Sequence, residues 1–328
     1  MSDSKELIAS PLTTLLANSP HPSAPLALHS ELKPIVAPGG QAALVYAQRR
    51  CTVLVPLGPM GDRHQGAQLL RNLTDDRSVR TVIITQTRES DLPLVRSLGF
   101  KSEVFGRNYS IYLPHFTDRG KPLAKVRQNI HRAAREGVTV REVPLGDQLS
   151  SIVAAVTADW IRQKGSHTKK LKLLVGEDKP INGKASRAFV AYKDGTAVAF
   201  VMYSAAAGES DRWLYDLTRR TVEAPTGTIE AINMTALRTL ADEGSKWLHL
   251  GLTPFVGVSS ETILNESRRL SLLMRTFASH GEHFYPARDQ ERFKLKWNPH
   301  VVEPEFISVY PSVRAGSLYG LMRLTNMI

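Results

Sequence analysis

DRWLYDLTRRTVEAPTGTIEAINMTALRTLADEGSKWLHLGL, residues 211 to 252, reads as strand, turn, helix and strand. The first ten residues combine apolar–polar alternation with aromatic enrichment, the pattern of a half-buried strand. Pro225 to Gly227 form a turn that opens the helix TIEAINMTALRTLADEG, and KWLHLGL follows as a second strand. Strands flanking a helix require a layered α/β arrangement.

The same grammar extends outward on both sides. Upstream, AFVAYKDGTAVAFVMYSA contains Lys193-Asp194-Gly195 between two alternating runs, a β-hairpin signal, and a helix over Leu149 to Gln163 precedes it. The first half repeats the theme: AALVYA, CTVLVPLG, a helix bearing Ala67, Leu69, Leu70 and Leu73, the strand TVIITQ, the short helix ESDLPLVRSLG, and the strand NYSIYLPHF. Between the halves lies a strongly basic helix from about Lys121 to Glu136, with Gly137 as its C-cap. The expected organisation is a flexible leader over 1–27, with Asn18 to Pro25 rich in Pro and Ser, a first unit over 28–120, the connecting helix and linker over 121–148, a second unit over 149–311, and a tail over 312–328.

Composition limits what such a chain does. The net charge of +11 and a pI near 9.8 favour a polyanionic partner: nucleic acid, an anionic lipid surface or a phosphorylated cofactor. Cys51 is the single cysteine, so an internal disulfide and a multi-cysteine metal site are excluded, and a reducing cytoplasm fits. The longest apolar runs fall far below the roughly 20 residues of a membrane-spanning helix. His280 and His283 form H-x-x-H without a third ligand nearby, so no metal is expected.

Repeated mixed units of this kind are similar to the Gcn5-related N-acetyltransferase fold, which holds coenzyme A phosphate on a helix N-terminus through an R/Q-x-x-G-x-G/A loop. The corresponding turn here, EAPTGTIEAI, has Gly227 alone. A closer resemblance covers Leu28 to Pro311. LYDLTRR (214–220), GTIEAINMTALRTLADEGSKWLHLGLTPFVGV (227–258), FYPARDQERFKLKWNPHVVEPEFISVYP (284–311), PLGPMGD (56–62) and GKPLAKVRQNIHRAAREG (120–137) resemble the cytosolic synthase domain of lysyl-phosphatidylglycerol synthases. The resemblance implies two tandem Gcn5-related acyltransferase domains joined by the basic helix. It also implies an aminoacyl-tRNA donor, serving as co-substrate with no separate cofactor. In the membrane members a flippase module precedes the synthase and the acceptor is phosphatidylglycerol; a stand-alone chain is expected to act on a soluble small-molecule amine, hydroxylamine or hydroxyl acceptor, as in natural-product biosynthesis. The alternatives are phosphatidylglycerol aminoacylation at an anionic membrane surface, acetyl-coenzyme A-dependent acetylation, and noncatalytic tRNA binding.

An aminoacyl ester is already activated, so the enzyme must place a nucleophile, remove its proton and stabilise the oxyanion. By resemblance, Asp216 belongs to the aminoacyl end, where it binds the donor ammonium or acts as base. Arg219, three residues on, faces the opposite side of a regular strand unless the strand ends or bulges there; the family pairing favours such an irregularity, with the guanidinium on a phosphate or ester oxygen. Tyr215, Glu230, Gly251, Thr253 and Lys164 complete the expected substrate site, although Glu230 also suits a helix N-terminus on its own account. For tRNA, FKLKWNP reads as a strand with Arg292, Lys294 and Lys296 on one face and Phe293, Leu295 and Trp297 on the other. Lys121, Lys125, Arg127, Arg132 and Arg135 of the connecting helix add a nonspecific contact to the acceptor stem. The loop after Lys164, with Ser166 to Lys170, departs from the family wording. The C-terminal stretch SVRAGSLYGLMRLTNMI is mildly amphipathic and reads as a packed helix or a membrane-surface contact.

Overall fold

A computed structural model of the chain describes residues 11–164, 172–174, 176–177, 184–206, 211–259, 262–280 and 286–326. Its first half runs α1 (Pro11–Ala17), β1 (Lys33–Val36), β2 (Ala42–Arg49), β3 (Thr52–Val55), the two-residue β4 (Met60–Gly61), α2 (Arg63–Asp75), β5 (Thr81–Arg88), α3 (Leu92–Ser97), β6 (Lys101–Tyr112) and α4 (Ala124–Arg135). The second half runs β7 (Val138–Val143), α5 (Asp147–Lys164), β8 (Lys184–Lys193), β9 (Thr196–Ala206), β10 (Arg212–Arg220), α6 (Thr228–Asp242), β11 (Trp247–Pro254), α7 (Arg268–His280), α8 (Ala287–Leu295), β12 (Val301–Tyr310) and α9 (Ala315–Leu324). The α/β class and the strand–helix–strand reading of 211–252 hold.

Each half contains one parallel strand pair, β3 with β5 and β10 with β11, while the other pairings are antiparallel. All the main strands join one sheet in the order β1-β2-β3-β5-β12-β6-β11-β10-β9-β8-β7. Two pairings fuse the halves. β6 of the first half pairs with β11 of the second, and β12, although last in sequence, inserts between β5 and β6. The closing strand of the 149–311 segment therefore completes the sheet of the first half.

The largest core cluster lies where α4 and α6 pack on β6 and β8–β11; it contains Tyr109, Ile111, Val126, Tyr203, Ile232, Leu237, Leu248 and Trp297. The connecting helix is thus a structural member of the second unit: α4 is basic on its outer face and turns Val126 and Ala133 inward. Gly227, at φ +98, lets α6 start hard against α4, and a Cβ there would overlap the carbonyl oxygen of Asn129.

Two expectations need correction. The leader is packed over its described part, with Leu16, His21 and Ser23 to Ala27 buried. His21 Nδ1 accepts from the Ser23 amide at 3.0 Å, which leaves Nε2 to donate to Gln86 O at 3.0 Å, and Arg212 donates to Ser19 O at 2.9 Å. A Pro/Ser-rich composition signals mobility only when the backbone finds no such partners. The second correction concerns FKLKWNP, which is the end of α8 and the turn after it. Phe293 and Trp297 are four residues apart, a helical spacing, and their rings lie 6.5 Å apart. The expected faces do not hold, since Lys294 is buried together with Trp297 while Leu295 is 48% exposed alongside Arg292.

Replacing Gly227 with Ala should lower unfolding stability by about 1–3 kcal/mol, because it forces an L-residue into left-handed backbone and displaces α4. Chemical denaturation measures this, and a variant as stable as the parent would contradict the close α4–α6 approach.

Candidate active site between the diverging strands

β10 and β11 run together for three residue pairs, from Arg212–Trp247 to Leu214–His249, and then part. Beyond that point β10 pairs with β9 and β11 pairs with β6. The divergence coincides with irregularities in both strands: the β10–β9 register shifts between Tyr215 and Leu217, and the β11–β6 register shifts between His249 and Gly251. Asp216 is the extra residue of the β10 bulge.

The bulge answers the parity problem posed by Asp216 and Arg219. Leu214 is opposite Ser204 and Leu217 is opposite Met202; Ser204 and Met202, two apart on β9, share a face. Ser204 Oγ donates to Asp216 Oδ2, which places the carboxylate on that face. Leu217 packs with Met202 and with Leu149, Val153 and Val156 of α5, and the Arg219 guanidinium lies 4.1 Å from the Trp160 ring of the same helix. One inserted residue therefore brings Asp216 and Arg219 to one side of the sheet. Gly176 approaches so closely that a Cβ there would overlap the Asp216 carboxylate, and Glu177 beside it accepts from the Ser30 amide at 2.7 Å and from Ser30 Oγ at 2.5 Å.

The opposite face carries Tyr215, whose ring lies 5.9 Å from Tyr203 and 6.1 Å from Phe293 of α8. Burial pushes its phenol far up, a change opposed by a hydrogen bond with Thr218. Glu230 sits in the first turn of α6. Its Oε1 accepts from Lys296 Nζ at 2.7 Å and from Asn129 Nδ2 of α4 at 2.8 Å. Burial raises this carboxyl, but the Lys296 bond and charge together with Asn129 outweigh it, so the group is held below the ordinary carboxylate range.

Lys294 lies between these two regions. Its Nζ donates to Gly251 O at 2.8 Å and to Leu252 O at 3.0 Å, carbonyls close to where β11 leaves β10, and it lies 5.6 Å from the Tyr109 ring. Burial pushes this ammonium down to about 7, and the nearby Glu305 partly offsets that. Glu305 on β12 is itself pushed up by burial to about 7, opposed by its hydrogen bond from Asn108 Nδ2 at 2.9 Å and then by Lys294. Gly251 takes φ +77 in the irregular stretch, and Thr253 is fully buried.

The expected cationic tRNA row is consequently dispersed. Arg292 is exposed and paired with Asp289, Lys294 is a buried carbonyl donor, and Lys296 is held by Glu230. On α4, Arg127 donates to Asp118 O at 2.6 Å and Gly120 O at 2.7 Å, fixing the preceding loop, and Arg132 pairs with Glu136 at 2.9 Å. Lys121, Lys125 and Arg135 remain exposed, Lys125 bonding Gln128 at 3.1 Å. An open depression of about 650 Å³ follows α4 along Gln128, His131, Ala134 and Arg135. Lys164 ends α5, with its side chain outside the described residues, as are Ser166 to Lys170 and His283. Among the described residues no cluster of three His, Cys, Asp or Glu is placed to hold a metal ion, and no helix is long and apolar enough to cross a membrane.

Sequence reasoning missed Ser204, Asn129, Trp160, Gly176 and Glu305. Each acts through a tertiary contact, set by the β10 bulge, the α4–α6 approach at Gly227 or β12 insertion, and none of these leaves a local signal.

A parallel strand pair that parts at a bulge, with a second parallel pair in the fused first half, defines a tandem fold of the Gcn5-related type. The model of the phosphatidylglycerol lysyltransferase C-terminal family matches residues 13–309, and the chain belongs to that family. The phosphatidylglycerol lysyltransferase of Bacillus subtilis (strain 168) is 24% identical over 266 residues, 79% of this chain, and the chain spans about 30% of that relative's length. Among solved structures, the C-terminal domain of a putative lysylphosphatidylglycerol synthetase from Agrobacterium fabrum superposes with TM-score 0.77 at 19% identity, covering 98% of both chains. L-PGS from Bacillus licheniformis gives TM-score 0.75 at 20% identity, covering 97% of this chain and 96% of that one. These structural likenesses establish the fold.

Glu305→Gln gives a test of the buried pair. A carboxyl raised from 4.5 to about 7 stabilises the fold below pH 4.5 and loses that contribution as pH climbs to about 7. Unfolding free energies measured across this window should show a falling component in the parent chain that the variant lacks; parallel profiles would remove Glu305 from the buried network.

Proposed function

We propose that the chain transfers an aminoacyl group, lysyl in the first instance, from the 3′ ester of an aminoacyl-tRNA to the glycerol hydroxyl of phosphatidylglycerol. The family match and the B. subtilis relative, both named for a lysyl group and phosphatidylglycerol, favour this acceptor over the soluble small molecule expected from the sequence. The observation that carries the reading is the β10 bulge, which sets Asp216 and Arg219 on one face beside the strand divergence.

Asp216, oriented by Ser204, takes the proton of the acceptor hydroxyl as its oxygen attacks the ester carbonyl. The new C–O bond forms, the tetrahedral centre collapses, and the ribose oxygen leaves with the proton. Arg219, held over the Trp160 ring, supplies a fixed cation for donor phosphate or the developing oxyanion. Exposed Lys121, Lys125 and Arg135 add charge for the acceptor stem without reading sequence.

The acetyl-coenzyme A reading fares worse on geometry. In that chemistry a pyrophosphate needs the N-terminus of the helix after the bulged strand. Here Asn129 covers that end of α6 across Gly227, and the carboxylate of Glu230 already takes the place suited to an anion.

With labelled lysyl-tRNA and phosphatidylglycerol vesicles, label should enter the organic phase. Asp216→Asn should lower kcat by roughly 10²–10⁴-fold with tRNA affinity kept. Label passing instead to a compound in a soluble extract would restore the small-molecule acceptor, and a fully active Asp216→Asn enzyme would remove Asp216 from the chemistry.

A further inference from the structure

The site described above uses none of the arginines on α7 and α9. Both helices pack on one apolar cluster, to which α7 contributes Leu270 and Met274 and the chain around α9 contributes Val313 and Leu321. α7 lies against β6 and α9 against β3 and β2; with β5 and β12 between β6 and β3, the two supports are about 14 Å apart across the sheet. Their outer faces therefore form one surface.

That surface has a consistent chemistry. Arg268, Arg269 and Arg275 of α7, with Arg314 and Arg323 at α9, are all exposed, and neither helix contains an acidic residue. Among the described residues, Arg268, Arg269, Arg275 and Arg314 have no carboxylate within ion-pair distance. Apolar groups stand among the cations. Leu272, on the same helical stripe as Arg268 and Arg275, is 65% exposed, and Tyr319 of α9 is 49% exposed.

We propose that the α7–α9 surface docks the protein on an anionic phospholipid bilayer. Arginines are drawn to the negative surface potential, and an exposed leucine and tyrosine gain by entering the interfacial layer, where tyrosine is favoured. A phosphate backbone alone would account for the arginines but gives no reason for Leu272 to face outward between two of them. The proposal rests on the lipid-acceptor reading only in giving the surface a purpose; charge and exposed apolar groups are its warrant.

Sedimentation of the full chain with vesicles containing phosphatidylserine, without tRNA, tests docking apart from turnover. The parent chain should bind these and ignore phosphatidylcholine vesicles. The triple variant Arg268→Gln, Arg269→Gln, Arg275→Gln should bind more weakly by on the order of a hundredfold, from about a factor of five per arginine. Leu272→Asp should weaken binding further at a salt concentration that screens the arginines. Transfer to a short-chain, monomerically dissolved phosphatidylglycerol should be unchanged in both variants. Vesicle binding unaffected by the substitutions, or a parent that binds no anionic vesicle, overturns the proposal; so does a loss of tRNA affinity in the variants with vesicle binding intact, which would assign the surface to nucleic acid. Docking without transfer to phosphatidylglycerol would leave this surface standing and remove the acceptor reading instead.

Discussion

The arrangement depends on how the sheet tolerates the parting of β10 and β11. Two parallel strands that diverge leave carbonyls without partners inside the protein, and each such group costs about as much as a lost hydrogen bond. Lys294 answers this for Gly251 and Leu252 by reaching in from α8. An ammonium is an expensive buried donor, and the low pKa imposed by burial records that cost. Its advantage is reach, since one long side chain satisfies two adjacent carbonyls without closing the strands again. Tyr109 beneath it and Glu305 nearby reduce the electrostatic penalty.

β12 ties that solution to the whole chain. Because it inserts between β5 and β6, the segment that follows α8 is locked into the first half, and α8 cannot move without straining a strand paired on both sides. Glu305 is on that same strand. The wedge in the second half is consequently held by residues whose anchor lies in the first, which gives a physical reason for two acyltransferase-like units to share one sheet. Fusion also buries the strand edges each unit would otherwise expose.

Much of this was legible in the sequence, and the divisions are instructive. The strand–helix–strand run from 211 to 252, the Lys193-Asp194-Gly195 hairpin and the connecting helix are local patterns, and the structure has them where periodicity put them. Asp216 and Arg219 were legible as a pair only through the family resemblance, since their sidedness turns on one inserted residue that alternation cannot reveal. FKLKWNP misled because Lys-Leu-Lys alternates at the period of a strand while Phe293 and Trp297 recur at the period of a helix, and only burial of Trp297 decides between them. The packed N-terminal segment was hidden for another reason. Its stability comes from His21 and Arg212 reaching distant backbone carbonyls, contacts set by tertiary structure alone.

The α4–α6 junction bears on the donor of the proposed transfer. A helix N-terminus presents free amides and partial positive charge, and these must be met by some anion. Where the anion is a cofactor pyrophosphate, the approach must stay open and the preceding loop must be small. Here the chain closes that approach itself: Gly227 admits Asn129, and Glu230 supplies an internal carboxylate balanced by Lys296. The end of α6 is thereby converted from a ligand site into a structural joint that fixes the basic helix beside the second unit. The positive charge available to a large polyanion then resides on α4 and the turn before it, where Lys121, Lys125 and Arg135 are exposed. A donor whose phosphates lie along a nucleic acid stem is suited to such a surface in a way that a small nucleotide cofactor, needing an enclosed cradle, is not.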